Sequence, residues 1–255
     1  MTRDFGRHAY GVAAIIFGVL TLYWHDVNAW QQAQPPGSSP YREPLIFIAA
    51  AATIAGGVAI QWRRTAPFGA IALSAYYLVF ALSTVPPIVG GPTVYDHWGN
   101  FFEQFSMFSG ALVAYASLML GRAAWAARVA GIGRALFGIC VVSFTLEQAF
   151  YLSATAGFVP KWIPPGQTFW AIATTIAFAL AAIAILSGRQ ALLASRLLTA
   201  MILLFGLLIW LPTLLANPHS HFNWAESVEN LAIAGAAWIL ADSLSASART
   251  LRTRP

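Results

Sequence analysis

Residues 167–189 read QTFWAIATTIAFALAAIAILSGR, and this stretch decides the class of fold. From Gln167 to Ser187 no side chain is charged, and the run closes on Gly188-Arg189. A helix rises about 1.5 Å per residue, so about 20 apolar residues cross the roughly 30 Å of hydrocarbon in a bilayer. Runs of the same character recur at 8–24, 44–62, 66–85, 99–120, 133–154, 193–215 and 224–243. The expected fold is an all-α integral membrane protein with eight transmembrane helices.

The composition agrees with that reading. Hydrophobic residues make up 58% of the 255 and charged residues only 9%. A soluble chain carries roughly 25% charged residues. So few charges cannot cover a surface that faces water. A soluble enzyme, a nucleic-acid binder and a disordered regulator are excluded, and the lipid bilayer is the first expected partner. The single cysteine, Cys140, excludes an intrachain disulfide, a paired-cysteine redox motif and a thiolate zinc site.

Charge gives the orientation. Twelve of the fourteen basic residues fall at ends of the runs that share one side, and only Arg42 and Lys161 fall opposite. Basic residues accumulate on the cytoplasmic side, so both termini are expected in the cytoplasm of a bacterial inner membrane. Seven of the nine acids lie in or near the outer half, as do four of five histidines. The cytoplasmic connections are short and carry Gly-Arg pairs at residues 6–7, 121–122, 133–134 and 188–189, where arginine can snorkel to lipid phosphates. The outer loops hold twelve of the fourteen prolines and the linker-like stretch 31–40. Long, proline-stiffened loops on one side only place any site on the outer face.

The chain also matches itself. Gly6-Arg7, Gly11 and Phe17 recur 127 residues later as Gly133-Arg134, Gly138 and Phe144. Pro86, Pro92, Trp98 and Glu103 recur 126 later as Pro212, Pro218, Trp224 and Glu229. Two four-helix repeats, residues 1–125 and 126–255, are expected. An even number of spans per repeat gives both the same orientation. The first run has signal-peptide features, with Val27-Asn28-Ala29 as a cleavage site, but its twin at 133–154 argues that it stays.

In these residues the chain resembles the DoxX family of small bacterial membrane proteins, here doubled. The resemblance rests on the Gly-Arg helix starts, on Glu147-Gln148-Ala149-Phe150 and on the loop 159–166 (VPKWIPPG), and it covers nearly the whole chain. It implies a four-helix unit. Related proteins include the membrane subunit of an archaeal thiosulfate:quinone oxidoreductase, which implies a quinone as ligand and a redox-complex subunit as partner.

Polar residues at membrane depth mark the candidate site. Glu147 follows fourteen largely apolar residues of the fifth run, with Gln148 beside it. A charge near a helix centre costs at least about 2.5–3.5 kcal/mol, so the carboxyl needs a partner or a proton. It lines an outward cavity or reaches headgroup water. Glu103-Gln104 and Glu229-Asn230 are equivalent pairs in the two repeats. Asn100-x-x-Glu103 and Asn223-x-x-Glu226 fit capping boxes at helix starts, which leaves Glu229 a turn deeper without a capping role. The expected ligand-binding set is Glu147, Gln148, Glu103, Gln104, Glu229 and Asn230. Glu147 and Gln148 have no twin, since Leu20 and Thr21 stand 127 residues earlier, so the pocket beside Glu147 is the expected functional one. His97, His219 and His221 lack diagnostic metal spacing, and no metal site is assigned.

No nucleophile–base–acid set, phosphate loop or dinucleotide fingerprint occurs, so no residue is assigned as catalytic. Three functions remain. The first is a membrane subunit that binds a lipophilic redox partner such as quinone through outer-half carboxyl and amide groups. The others are a small-solute or proton-coupled transporter and a membrane-embedded enzyme acting on a lipid.

Overall fold

A computed structural model describes residues 4–27 and 40–252, with side chains as far as 246. Arg3, Asn28, Ala29, the linker residues 31–39 and Arg254 lie outside the described residues, as do the side chains of Arg249 and Arg252. The chain runs α1 (Phe5–Trp24), α2 (Arg42–Ala59), α3 (Ala66–Ser83), a short α4 (Val85–Gly90) and α5 (Tyr95–Met119). It continues through α6 (Ala126–Phe150), a short α7 (Leu152–Phe158), α8 (Gln167–Ser187) and α9 (Ala191–Phe205). A π-helical segment, Gly206–Trp210, then leads into α10 (Leu211–Ala216) and α11 (His221–Arg252). No strand occurs among the described residues.

Six helical stretches are long and apolar enough to cross a membrane: α1, α2, α3 with α4, α6, α8, and α9 with α10. The two remaining long helices, α5 and α11, are more polar because their first two turns each carry an acid and an amide, Asp96 and Asn100 in α5 and Glu226 and Asn223 in α11. Their position explains why that is tolerated. α5 packs on α3, α6 and α11, while α11 packs on α1, α9 and α5. The polar helices are therefore inside, and the apolar ones surround them. Side chains such as Leu180, Ile183 and Leu197 point outward from that surround, more than 60% exposed.

Consecutive long helices pack on one another, and α1 closes the ring on α11. In lipid there is little hydrophobic drive between helices, so close van der Waals approach of small residues supplies much of the attraction. A Cβ on Gly235 would sit 2.8 Å from both the N and Cα of Tyr10, and one on Gly110 would sit 2.8 Å from Ala236 Cα. Where these helices touch, backbone meets backbone. A single apolar core runs through both sequence halves, from Tyr10 to Leu240, with no boundary near residue 125 that separates two cores.

Two arginines behave differently from the snorkelling expected for them. Arg7 is 7% exposed and donates to the carbonyl of Ile60, just past the end of α2, with Asp4 at 3.3 Å. Arg134 donates to the Ile185 carbonyl at 2.9 Å, near the end of α8. Helix C-termini leave carbonyls without intrahelical donors, and a cation there is favoured by the dipole as well. These arginines turn inward because that demand is closer than the lipid phosphates.

Candidate functional site

A chamber of about 920 Å³ lies between α5, α6, α8, α9 and α11, with α7 across one end. Its walls are mostly apolar, with Phe144, Phe178, Phe205 and Ile233 among them. Five carboxyl groups face into it. Asp96 and Glu103 come from α5, Glu147 from α6, and Glu226 and Glu229 from α11. The helical period brings them together: positions 96 and 103 lie two turns apart on one face, and 226 and 229 share a face at i, i+3.

The acids form a graded series. Asp96 is exposed, Glu147 and Glu226 are half-buried, and Glu229 is 3% exposed. Glu103 lies within electrostatic reach of the other four, and its Oε2 is buried without a hydrogen-bond partner among the described residues. None of the described residues lining the chamber is basic. Acids crowded in an apolar space need protons or a cation to be stable there.

The Glu147 carboxyl is turned toward α5. A Cβ on Gly99 would lie 2.6 Å from its Cδ and 2.7 Å from its Oε2. Gly99 therefore leaves the seat that the carboxyl occupies, and any side chain at 99 would drive it out into the chamber.

The amides set the frame. Gln104 Nε2 donates to Glu229 Oε1 at 2.6 Å, tying α5 to α11 in the buried interior. The hydroxyls of Thr174 and Thr175 on α8 lie 3.3 and 3.1 Å from Gln148 Oε1, which fixes that amide. Asn230 Nδ2 donates to the Ile202 carbonyl at 3.0 Å, one turn before the π-helical segment. Wider π turns in a helix often mark functional sites, and this one lines the chamber through Leu208, Ile209 and Trp210.

Of the six residues expected from sequence, Glu103, Glu147, Gln148, Glu229 and Asn230 line this one chamber. Gln104 does not line it and meets it only through Glu229. The capping boxes are corrected. α5 and α11 start a turn earlier than expected, at Tyr95 and His221, so Asn100 and Asn223 sit inside their helices. Asn100 Nδ2 bonds the Asp96 carbonyl at 2.9 Å, and Asn223 Nδ2 bonds the carbonyls of Thr213 and Asn217 at 3.2 and 3.3 Å. Glu226, read as a cap, instead faces the chamber. Its i, i+3 spacing from Glu229 was the signal that could have found it.

In the first half, aromatic side chains pack closely. Leu20 and Thr21 are buried, and Tyr10, Tyr76 and Tyr77 pack edge to edge, with ring centroids 5.0 and 5.9 Å apart. The Tyr10 hydroxyl donates to the Met107 carbonyl at 2.7 Å.

The histidines lie elsewhere. His97 bonds the Gly91 carbonyl at 3.1 Å, and His25 lies 3.3 Å from Glu43. No three His, Cys, Asp or Glu side chains among the described residues are placed to hold a metal. His221, ahead of the apolar stretch of α11, stacks on Trp24 at 4.8 Å with Asp26 4.0 Å away. Burial lowers its pKa from 6.5, and the Asp26 charge opposes the shift. The folded protein thus takes up this proton less readily than the unfolded chain. Stability is full above about 6.5 and declines as pH falls below it. The thermal midpoint of the parent protein should drop between pH 7.5 and pH 5.5 more steeply than that of His221→Phe, which keeps the stack on Trp24; equal slopes would remove His221 as the cause.

Compared with protein-family models, curated proteins and solved structures, the chain matches none.

Proposed function

We propose that the protein is a membrane subunit that binds a lipophilic molecule with a neutral, hydrogen-bonding head, a quinone being the class that fits best. The carrying observation is the apolar chamber of about 920 Å³ that faces five acids and no base. Its volume is in the range of roughly 300–1,000 Å³ typical of ligand sites. A quinone offers two carbonyl acceptors, and protonated carboxyls or the Gln148 amide can donate to them. Quinone reduction also takes up two protons with its two electrons. The acids would hold the protons, and a redox partner subunit would supply the electrons. A phosphate head would meet like charge throughout, which weighs against an enzyme acting on an anionic lipid.

In this proposal α5 and α11 also span the bilayer, giving eight spans in two like-oriented repeats of a DoxX-like unit. The helices are 25 and 32 residues long and pack against spans that are apolar enough to cross. Matched contacts support the repeat. Arg7 to Ile60 has its counterpart in Arg134 to Ile185. Trp98 Nε1 donates to the Pro92 carbonyl at 3.0 Å, and Trp224 Nε1 to the Pro218 carbonyl at 2.9 Å. The packing order α1–α2–α3–α5 parallels α6–α8–α9–α11. The basic asymmetry supports a bacterial inner membrane with both termini cytoplasmic.

The graded acids favour one other reading, a proton-coupled transporter, in which protons step from Asp96 to Glu229. Two measurements separate the readings. Protein extracted gently from its native membrane should carry quinone in near-stoichiometric amount. Added quinone should quench tryptophan fluorescence, since Trp170 and Trp210 line the chamber. An extract without quinone and a titration without quenching would sink the quinone reading. Solute-driven proton flux in liposomes would then support the transporter.

A further inference from the structure

A second cavity of about 430 Å³ adjoins the chamber and shares Phe158, Pro160, Leu208 and Ile209 with it. It lies between α7 with its following loop on one side and the π-helical segment with α10 on the other. Its remaining lining is Gly157, Trp162, Leu207, Pro212 and Thr213. Among its described lining only Thr213 and the Trp162 indole N–H bring polar side-chain groups, and the Thr213 hydroxyl donates to the Ile209 carbonyl at 2.7 Å. The described lining of the passage carries no charged side chain that would hold a charged head.

Its outer rim is apolar and open. Trp162 is 73% exposed, Leu207 59% and Phe158 52%, with Leu215 beyond them at 71%. Large apolar side chains exposed in a membrane protein face lipid. Phe158, which lines both cavities, meets Trp210 of the chamber wall with ring centroids 5.7 Å apart. The acids of the chamber come from other elements, α5, α6 and α11.

We infer that this passage is a lateral window through which a long-chain amphiphile enters the chamber from the bilayer. The head moves in to the acids, and the apolar tail stays in the window between α7 and the π-helical segment. The inference rests on the chamber being a lipophilic-ligand site and adds the class of ligand: one with a tail longer than the chamber, drawn from lipid rather than from water. The Phe158–Trp210 pair is then a gate of two rings that part without breaking a hydrogen bond between them. The π-helical turn suits this, because a wider turn loosens the packing of α9 at the point where a wall must give.

Gly157 provides the test. A Cβ there meets nothing within 4 Å, so a large side chain can enter the window without displacing a packed neighbour. The protein is placed in phosphatidylcholine vesicles with a small lipophilic diazirine, which partitions into the bilayer and labels on illumination. Phe178 and Ile202 line the chamber and are only 6% and 4% exposed, so labelling there reports entry. Leu197, 61% exposed, reports the lipid face. In the parent protein all three should be labelled. Gly157→Trp should lower labelling of Phe178 and Ile202 at least fivefold and leave Leu197 unchanged. Leu207→Trp, from the opposite wall, should do the same and guards against one variant misfolding.

An unlabelled chamber in the parent, or undiminished labelling in both variants, overturns the window. Quinone content is scored separately on the same preparations. A labelled chamber that Gly157→Trp closes, in protein without quinone, supports the window and sinks only the quinone assignment.

Discussion

Glu147→Leu is expected to weaken quinone binding at least tenfold while the protein still folds and inserts. Tenfold is about 1.4 kcal/mol, the size of a hydrogen bond to a ligand head plus the contact it brings. Folding should survive because, among the described residues, the Glu147 carboxyl makes no fold-holding bond like that of Gln104 to Glu229, and leucine suits the apolar chamber. Losing one acid from a crowd of five relieves repulsion, so the thermal midpoint should hold or rise. Glu147→Gln separates two roles for the carboxyl. If it only hydrogen-bonds the head, the amide should keep affinity within about threefold, the scale of one altered neutral hydrogen bond. If it also holds a proton for the quinone, turnover with the redox partner should fall although binding is kept. Equal affinity in parent and Glu147→Leu would exclude Glu147 from the site.

The reading of that residue shows what the sequence could carry. Glu147 stood out because an acid after fourteen apolar residues demands a reason, and the structure gives it the seat at Gly99. All eight apolar runs lie on helices, since apolar length is a local property. Helix starts were harder to read. The first turns of α5 and α11 are polar, so apolar counting begins too late and turns Asn100 and Asn223 into caps. Glu226 was lost through the same error. The π-helical segment left no signal beyond Gly206 and the following Pro212, because a widened turn depends on what packs against it. Nor could a linear pattern say that Tyr10, Tyr76 and Tyr77 would pack together in the first half while a chamber opens beside Glu147. That is decided by side-chain volume across several helices.

The largest effect on stability should come from Gly235→Leu, which is expected to leave little folded protein. Even a methyl at 235 would press on Tyr10 N and Cα, and backbone cannot swing aside as a side-chain tip can. Overpacking of one or two carbons costs about 1–3 kcal/mol where the site cannot relax. Here α1 must move away from α11, which also pulls the Tyr10 hydroxyl from the Met107 carbonyl of α5. Gly235→Ala should therefore fold with a clearly lowered thermal midpoint, and Gly235→Leu should aggregate or be degraded. Gly131→Ala is the control. Nothing lies within 4 Å of its added Cβ, so the helix should gain up to about 1 kcal/mol from the lost glycine freedom. Equal midpoints for Gly235→Ala and Gly131→Ala in the same detergent would remove close approach as the device that holds α1 to α11.

The closure of α1 on α11 also sets a timetable for the newborn chain. Gly6 N–H reaches the Asp242 carboxylate at 3.2 Å across 236 residues of sequence. A ribosome adding about 5–20 residues per second needs roughly 10–50 seconds to make the second half of that contact. Through that interval the first helix has its small-residue face uncovered, with α2 as its main packing partner. A nascent protein of this design depends on an insertase or a holding chaperone to shelter its first helix, and arrest of translation before α11 should leave a species that such a factor binds and a protease can find.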